Sequence, residues 1–133
     1  MKEAAVEWLR AAEEDLVVIE SIKNMPMATG AASFHAQQSI EKSLKAIIEQ
    51  TGDDVPKIHD LHTLFQKARA IISIPYEEET VDALNTLYID SRYPGALGLL
   101  PHGRPTTEDV DGFYNLAKTV FRTVREHLKN RYP

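Results

Sequence analysis

The chain has 133 residues, of which 43% are hydrophobic and 26% charged, and it contains no Cys. This composition is typical of one globular domain, and it excludes a disordered or fibrous protein, a disulfide framework and a cysteine nucleophile. The net charge of -5 disfavours binding of nucleic acid over the whole surface, so a site for a polyanion would have to be local.

The sequence predicts neither a signal peptide nor a membrane span. Acidic residues interrupt the N-terminal stretch MKEAAVEWLRAAEEDL. No segment reaches the run of about 18 apolar residues that a spanning helix requires. We therefore expect a cytoplasmic protein that does not enter a membrane.

The first two predicted helices form a hairpin. Apolar residues at helical spacing place the first helix over residues 3 to 23 and the second over residues 31 to 50. Gly52 is suited to end the second helix in a left-handed conformation.

Three further helices follow. Asp60 can cap a short third helix that runs to about Ala70. The fourth begins at the acidic residues 77 to 79, whose negative charges are stabilised by the positive end of the helix dipole. It ends at Pro94-Gly95. Residues 94 to 105 form a long loop of the kind that is often functional, and the last helix starts near residue 106 or 107.

This pattern predicts an all-α fold in a single domain, residues 1 to 133. Period-two alternation is absent, while helical spacing recurs through most of the length. Four long amphipathic helices with mostly short links predict an up-and-down bundle, and the short third helix is expected to pack across one end.

Polar side chains fall on the apolar faces of the hairpin. In the second helix Phe34, with Leu44 and Ile48, marks the apolar face, and helical spacing places Gln37 and Glu41 within it. The same spacing places Asp15 on the apolar face of the first helix. We expect these three polar side chains to meet along one seam, either as a hydrogen-bonded core network or subunit interface, or as a functional pocket.

Several cations could complete this seam. His35, Lys42 and Lys45 lie on the second helix, and Arg92 lies at the end of the fourth. We favour Arg92, because it precedes the long loop and its guanidinium can bind a carboxylate or phosphate through two parallel hydrogen bonds. The other interpretation is that Arg92 satisfies the last carbonyls of its helix.

Four stretches together resemble the HEPN family (higher eukaryotes and prokaryotes nucleotide-binding domain). They are WLRAAEEDL, FHAQQSIEKSLKAII, HDLHTL and LYIDSRYP, which cover about residues 5 to 95 in order, and a final helix follows where the family has one. The resemblance implies a helical bundle that forms a homodimer. It also implies a frequent partner, a minimal nucleotidyltransferase, in a toxin and antitoxin pair or a two-part nucleotide-transfer enzyme.

Many members of this family are metal-independent endoribonucleases with the signature Arg, four to six residues, then His. Arg122 and His127 match this spacing, but on an uninterrupted helix their side chains would point about 140° apart. Arg92 lies closer to the expected position, but its nearest downstream His is His102, outside the pattern. The tyrosine that is modified in some family toxins is replaced by Lys129.

Three functions therefore stay open, and with them the question of whether the protein is an enzyme. The first is a dimeric module that docks a nucleotidyltransferase and binds nucleotide or RNA phosphate through Arg92, Lys42, Lys45 and Arg104. The second is a ribonuclease, in which His102 or His127 converges with Arg92 or Arg122. The third is a purely structural dimerisation module.

We expect no cofactor and no metal. His59 and His62 are spaced as metal ligands can be, but a third ligand at a suitable spacing is missing, and Asp60 is better used as a helix cap. The glycines of residues 94 to 105 lack the Lys and Ser or Thr that follow in a phosphate-binding loop.

Overall fold

The protein is a bundle of α-helices, as the sequence predicts. The computed structural model describes residues 1–90, 100 and 103–133, except for the side chains of residues 89 and 90. The helices are α1 (Glu3–Ile22), α2 (Thr29–Thr51), α3 (Leu61–Arg69), α4 (Glu78–Asp90) and α5 (Thr107–Arg131). A short 3-10 helix, Pro26–Ala28, joins α1 to α2 and was not expected from the sequence.

Helix α1 runs antiparallel to both α2 and α5. The main-chain N–H of Lys2 donates to Oε1 of Gln50 at 2.7 Å, so the start of α1 meets the end of α2. The amino group of Met1 donates to the carbonyl of Tyr132 at 3.4 Å, just beyond the end of α5. Helix α2 contacts each of the other α-helices and is therefore the central element of the bundle.

Helix α2 is buried over most of its circumference. Apolar side chains from α2, α3, α4 and α5 form the centre of the core around it. Those less than 2% exposed include Ile40, Leu44, Ile47, Ile48, Leu61, Leu64, Phe65, Leu84, Leu116 and Leu128. A helix buried on so many sides also has to bury polar residues, and α2 buries Gln37, Glu41 and Lys45.

The predicted helix ends are confirmed by their caps. Gly52 ends α2 with a φ of 88°, in the left-handed region that favours glycine. The side chain of Asp60 accepts a hydrogen bond from the N–H of His62 at 3.0 Å, which caps α3. Thr106 and Asp109 form a reciprocal capping box at the start of α5.

One expectation from the sequence is wrong, and another falls largely outside the described residues. Phe34 does not mark the buried face of α2, because its side chain is 47% exposed and packs against other rings at the surface. The predicted end of the fourth helix at Pro94-Gly95 and most of the loop over residues 94 to 105 lie outside the described residues. Leu100 and Gly103 are described, and their main chains exchange hydrogen bonds of 2.7 and 2.8 Å.

None of the helices over the described ranges combines the length and the apolar character that crossing a membrane requires.

Candidate functional site

A buried carboxylate on α2 is the centre of the candidate site. Glu41 is 4% exposed, and its side chain accepts hydrogen bonds from Lys45 Nζ at 3.1 Å and Gln37 Nε2 at 3.2 Å. These residues stand four apart on one helix, a spacing that brings side chains together on the same face. The third donor is His59 Nδ1, at 3.0 Å. The charge of Glu41 is thus paired with the ammonium of Lys45, and its oxygens are hydrogen-bonded, as the burial of a charge requires.

His59 comes from the segment between α2 and α3. Gln37 Nε2 also donates to the carbonyl of His59 at 3.4 Å, which fixes this segment against α2. Because an ionised carboxylate only accepts hydrogen bonds, the Nδ1 atom that faces Glu41 must bear the hydrogen. The ring therefore turns its Nε2 away from Glu41, and the side chain is 42% exposed.

Asp15 forms a second group on another side of α2. It is 5% exposed and accepts hydrogen bonds from His35 Nδ1 and Lys42 Nζ, each at 2.8 Å. Among the described residues, no hydrogen bond joins Asp15 to Gln37 or Glu41.

The single seam expected from the sequence is therefore two separate groups. His35 and Lys42 lie close together around the axis of α2. At about 100° per residue, Glu41 is about 100° away from Lys42 and about 120° away from His35. Asp15 can reach only the first side, so it does not meet Glu41.

A row of four rings links the two groups at the surface. His35 lies edge-on to Phe34 with ring centroids 5.4 Å apart, and Phe34 lies nearly parallel to Tyr88 at 6.2 Å and 16°. Tyr88, near the end of α4, contacts the ring of His59 at 5.2 Å. We call His35, Phe34, Tyr88 and His59 the ring strip. Its two ends are the imidazoles that Asp15 and Glu41 hold.

The predicted phosphate ligands lie in different surroundings. Lys45 is 5% exposed, bonded to Glu41 and 5.5 Å from the centroid of the Trp8 ring, so it serves as an internal counter-ion. Lys42 is bonded to Asp15 but keeps 24% of its side chain exposed. Arg104 is exposed, next to Gly103. Arg92 lies outside the described residues, four positions after Tyr88 in the sequence.

The candidate catalytic residues are not brought together within the described chain. Arg122 and His127 lie on α5, which continues without interruption from Thr107 to Arg131. Side chains five residues apart on such a helix point about 140° apart. Arg122 is exposed and His127 is half-buried. His102 lies outside the described residues.

A third polar group was missed by sequence reasoning. His62, in the first turn of α3, is hydrogen-bonded through Nδ1 to the hydroxyl of Tyr76 and through Nε2 to Asp82 of α4. Burial, followed by the charges of Glu78 and Asp82, raises the pKa of Tyr76. The three residues come from separate segments, and no spacing in the sequence connects them. A surface cavity of about 360 Å³ adjoins them, beside Arg69.

Tyr114 of α5 was also missed. Burial and a hydrogen bond to the carboxylate of Glu20 raise the pKa of Tyr114 to about 12. The same hydrogen bond is the largest cause that lowers the pKa of Glu20. The ammonium groups of Lys23 and Lys118 lie 5.6 and 4.6 Å from the centroid of the Tyr114 ring. This group joins the end of α1 to the first half of α5.

Within the described part of the chain, no three or more His, Asp or Glu residues are arranged to hold a metal ion.

Comparisons with known proteins agree with this architecture. A family model for the HEPN domain matches residues 5–127. The structure is similar to the crystal structure of TT1696 from Thermus thermophilus, with a TM-score of 0.69 and 22% identity over 94% of this chain and 98% of that one. It is equally similar to ST0689, an archaeal HEPN homologue, with a TM-score of 0.69 and 25% identity over 96% of this chain and 99% of that one. No curated protein matches the chain significantly.

Proposed function

The chain belongs to the HEPN domain family, and from that premise we propose that it acts as a dimeric module that partners a minimal nucleotidyltransferase and binds nucleotide or RNA phosphate. Together the two proteins would form a toxin and antitoxin pair or a two-part nucleotide-transfer enzyme. The observation that carries the binding role is the group around Glu41. The carboxylate of Glu41 accepts hydrogen bonds from three side chains, and one of these is the half-exposed imidazole of His59.

Stability alone is a weak reason for such an arrangement. Burying an ion pair costs desolvation energy that its attraction often only offsets, and apolar residues of similar size would commonly do as well. The Glu41 group lies where α2, the segment before α3 and the end of α4 meet, and this is where His59 reaches the surface. A buried charged group that contributes little net stability and reaches the surface at such a junction supports a role in binding.

Arg92 is the residue we propose as the phosphate ligand. It follows Tyr88 by four positions, and Tyr88 already lies against His59. Lys42 and Arg104 remain proposed as auxiliary cations, whereas the burial of Lys45 makes it a structural counter-ion to Glu41.

Exposed apolar side chains support the proposed homodimer, because they offer a surface for a second copy of the chain. Of the seven large apolar side chains that are exposed among the described residues, five fall between the second half of α1 and the first half of α2. They are Val17 (62% exposed), Val18 (36%), Met25 (50%), Met27 (92%) and Phe34 (47%). Single exposed apolar residues are ordinary, but several from one part of the fold are typical of a protein interface.

The geometry of α5 favours a binding module over a ribonuclease. Cleavage of RNA would need a His to remove the 2′-hydroxyl proton and an Arg to stabilise the phosphorane charge at one centre. Arg122 and His127 diverge on their helix, so α5 of one subunit does not bring these two side chains to one centre. A module that only binds phosphate needs no general base.

Incubation of the purified protein with RNA in the presence of a chelator tests this choice. We expect no cleavage by the wild type, by Arg92→Ala or by His127→Ala. Cleavage by the wild type that disappears with either substitution would establish the ribonuclease instead. Co-purification with a minimal nucleotidyltransferase encoded beside the gene would support the partnership, and failure of the two proteins to associate when produced together would contradict it.

A further inference from the structure

A surface cavity of about 360 Å³ lies between α3 and the segment that leads into α4. Its polar side chains on α3 are His62, Gln66 and Arg69, and their spacing of i, i+4 and i+7 places them in one row along the helix. The ring of Tyr76 contacts both ends of this row, His62 and Arg69. The volume lies at the lower end of the range of about 300–1,000 Å³ that is typical of sites for small molecules.

His62 holds one wall of the cavity and has no nitrogen left for a ligand. Asp82 accepts a hydrogen bond from Nε2 of His62, so in the neutral ring Nδ1 accepts one from the hydroxyl of Tyr76. Burial, followed by the charges of Glu78 and Asp82, raises the pKa of Tyr76, so the hydroxyl keeps the proton that it donates. Any ligand would therefore bind to the other polar side chains of the row.

Arg69, in the last turn of α3, is the side chain that is best placed to hold a ligand. Its Cζ lies 5.1 Å from the centroid of the Tyr76 ring, and a guanidinium over a ring keeps the N–H groups at its edges free to donate. Among the described residues, neither Arg69 nor Gln66 makes a hydrogen bond or an ion pair with another side chain. A guanidinium with two parallel donors and a neighbouring amide match the two oxygens of a carboxylate.

Three carboxylates lie near the cavity, but each has another role. Asp60 caps α3, and Asp82 holds the imidazole of the row. Glu78 lies in the first turn of α4, where the positive end of the helix dipole stabilises its charge. Within the described ranges, none of the three forms an ion pair with Arg69. The guanidinium is therefore the cation that an acidic ligand would meet in the cavity.

We propose that this cavity binds a small carboxylic acid with an apolar body. Arg69 donates to both oxygens of the carboxylate, Gln66 donates through its amide, and the apolar part of the molecule packs on Tyr76 and Ala70. The cavity shares no residue with the ring strip or with the group around Glu41, so this site is independent of the proposed phosphate site.

The test is a set of calorimetric titrations of the full chain with benzoate, benzamide, acetate and inorganic phosphate. Benzamide has the same ring as benzoate but no charge, acetate lacks the ring, and phosphate is an anion without an apolar body. We expect benzoate to bind, and the other three to bind at least about 10-fold more weakly, because each lacks one of the features that the cavity recognises.

Three variants locate the binding. Arg69→Ala removes the guanidinium and should weaken binding of benzoate at least about 10-fold, through the loss of a charge-assisted pair of hydrogen bonds. Ala70→Leu leaves every charge in place and should also weaken binding, because a larger side chain then lines the cavity. Lys67→Ala is the matched control, because it removes a cation of α3 that does not line the cavity, and it should bind benzoate like the wild type.

Benzoate binding that is weakened in Arg69→Ala and Ala70→Leu but kept in Lys67→Ala would establish the site. No binding of benzoate to the wild type, or equal affinities of the wild type and Arg69→Ala, would overturn the proposal and leave Arg69 as a cation that stabilises the end of α3. An equal loss in Lys67→Ala would also overturn it, since net charge would then be the cause. Phosphate binding as tight as that of benzoate would do the same, because the cavity would then accept any anion.

Discussion

At the scale of single residues, the protein buries two carboxylates, and each of them is hydrogen-bonded to cationic or polar side chains. Helical spacing predicts that Glu41 and Asp15 lie on apolar faces, and the structure buries both. The spacing also connects Glu41 with Gln37 and Lys45, because these residues share a helix. It could not identify His59, which comes from the segment between α2 and α3, outside any helix.

The buried pair Lys45 and Glu41 allows a direct test of this account. Lys45→Met removes the ammonium and leaves a carboxylate with 5% of its side chain exposed, so we expect a loss of roughly 3 kcal/mol in the free energy of unfolding. The double variant Lys45→Met, Glu41→Gln removes both charges and should recover much of that loss. Urea denaturation measures both. A double variant as unstable as the single one would show that the charge pairing is not the cause.

Tyr114 gives a prediction on pH. Its pKa is raised to about 12 in the folded protein, above the value of about 10 for an exposed tyrosine. The folded state therefore favours the protonated hydroxyl, and this contribution to stability is fully present below about pH 10 and is lost as the pH rises toward about 12. We expect the free energy of unfolding to fall over this interval, and less steeply in Tyr114→Phe. Identical alkaline profiles for the two proteins would contradict the assignment.

At the scale of the elements, short-range signals predicted the helices well because their causes are local. Asp60, Gly52 and Thr106 act through bonds or backbone angles within a few residues of themselves. The 3-10 turn before α2 and the exposure of Phe34 could not be predicted in the same way. Both depend on how α1, α2 and α4 approach one another, which no local pattern records.

The capping box at the start of α5 should contribute measurably to the free energy of unfolding. Thr106→Ala removes the acceptor of the Asp109 N–H, which is bonded at 3.0 Å, and we expect a loss of about 1 kcal/mol. Thr119→Ala is the matched control, because Thr119 lies within α5 and its hydroxyl donates to the carbonyl of Asn115. Alanine is a better helix former there, so the control should not lose stability. Equal losses in the two variants, measured by urea denaturation, would contradict the role of the cap.

At the scale of the whole molecule, the distribution of charge and apolar surface is uneven. The cations of α5 partly face the acids of α1, as in the pair of Arg125 and Glu13 at 3.5 Å, whereas exposed apolar side chains lie around the link from α1 to α2. The sequence predicted the all-α bundle because each long helix has one apolar face. It could not predict that α2 would be central, since that depends on contacts between residues far apart in the chain.

The proposed dimer should depend on the exposed apolar residues. We expect light scattering to give twice the chain mass for the wild type, and a monomer for the double variant Val17→Asp, Met27→Asp, since charges at buried contact positions oppose association. Lys57→Asp, at an exposed position before α3, is the control and should stay dimeric. A monomeric wild type would refute the dimer, and a dimeric double variant would place its interface elsewhere.

The most direct test of the central claim is the affinity of the protein for adenosine 5′-monophosphate when Arg92 is replaced. We expect Arg92→Ala to weaken binding at least about 10-fold, as expected for the loss of a charge-assisted pair of hydrogen bonds to phosphate. Arg69→Ala, an exposed arginine beside Tyr76, should bind like the wild type. Equal affinities of the wild type, Arg92→Ala and Arg69→Ala, or no binding by the wild type, would contradict the account.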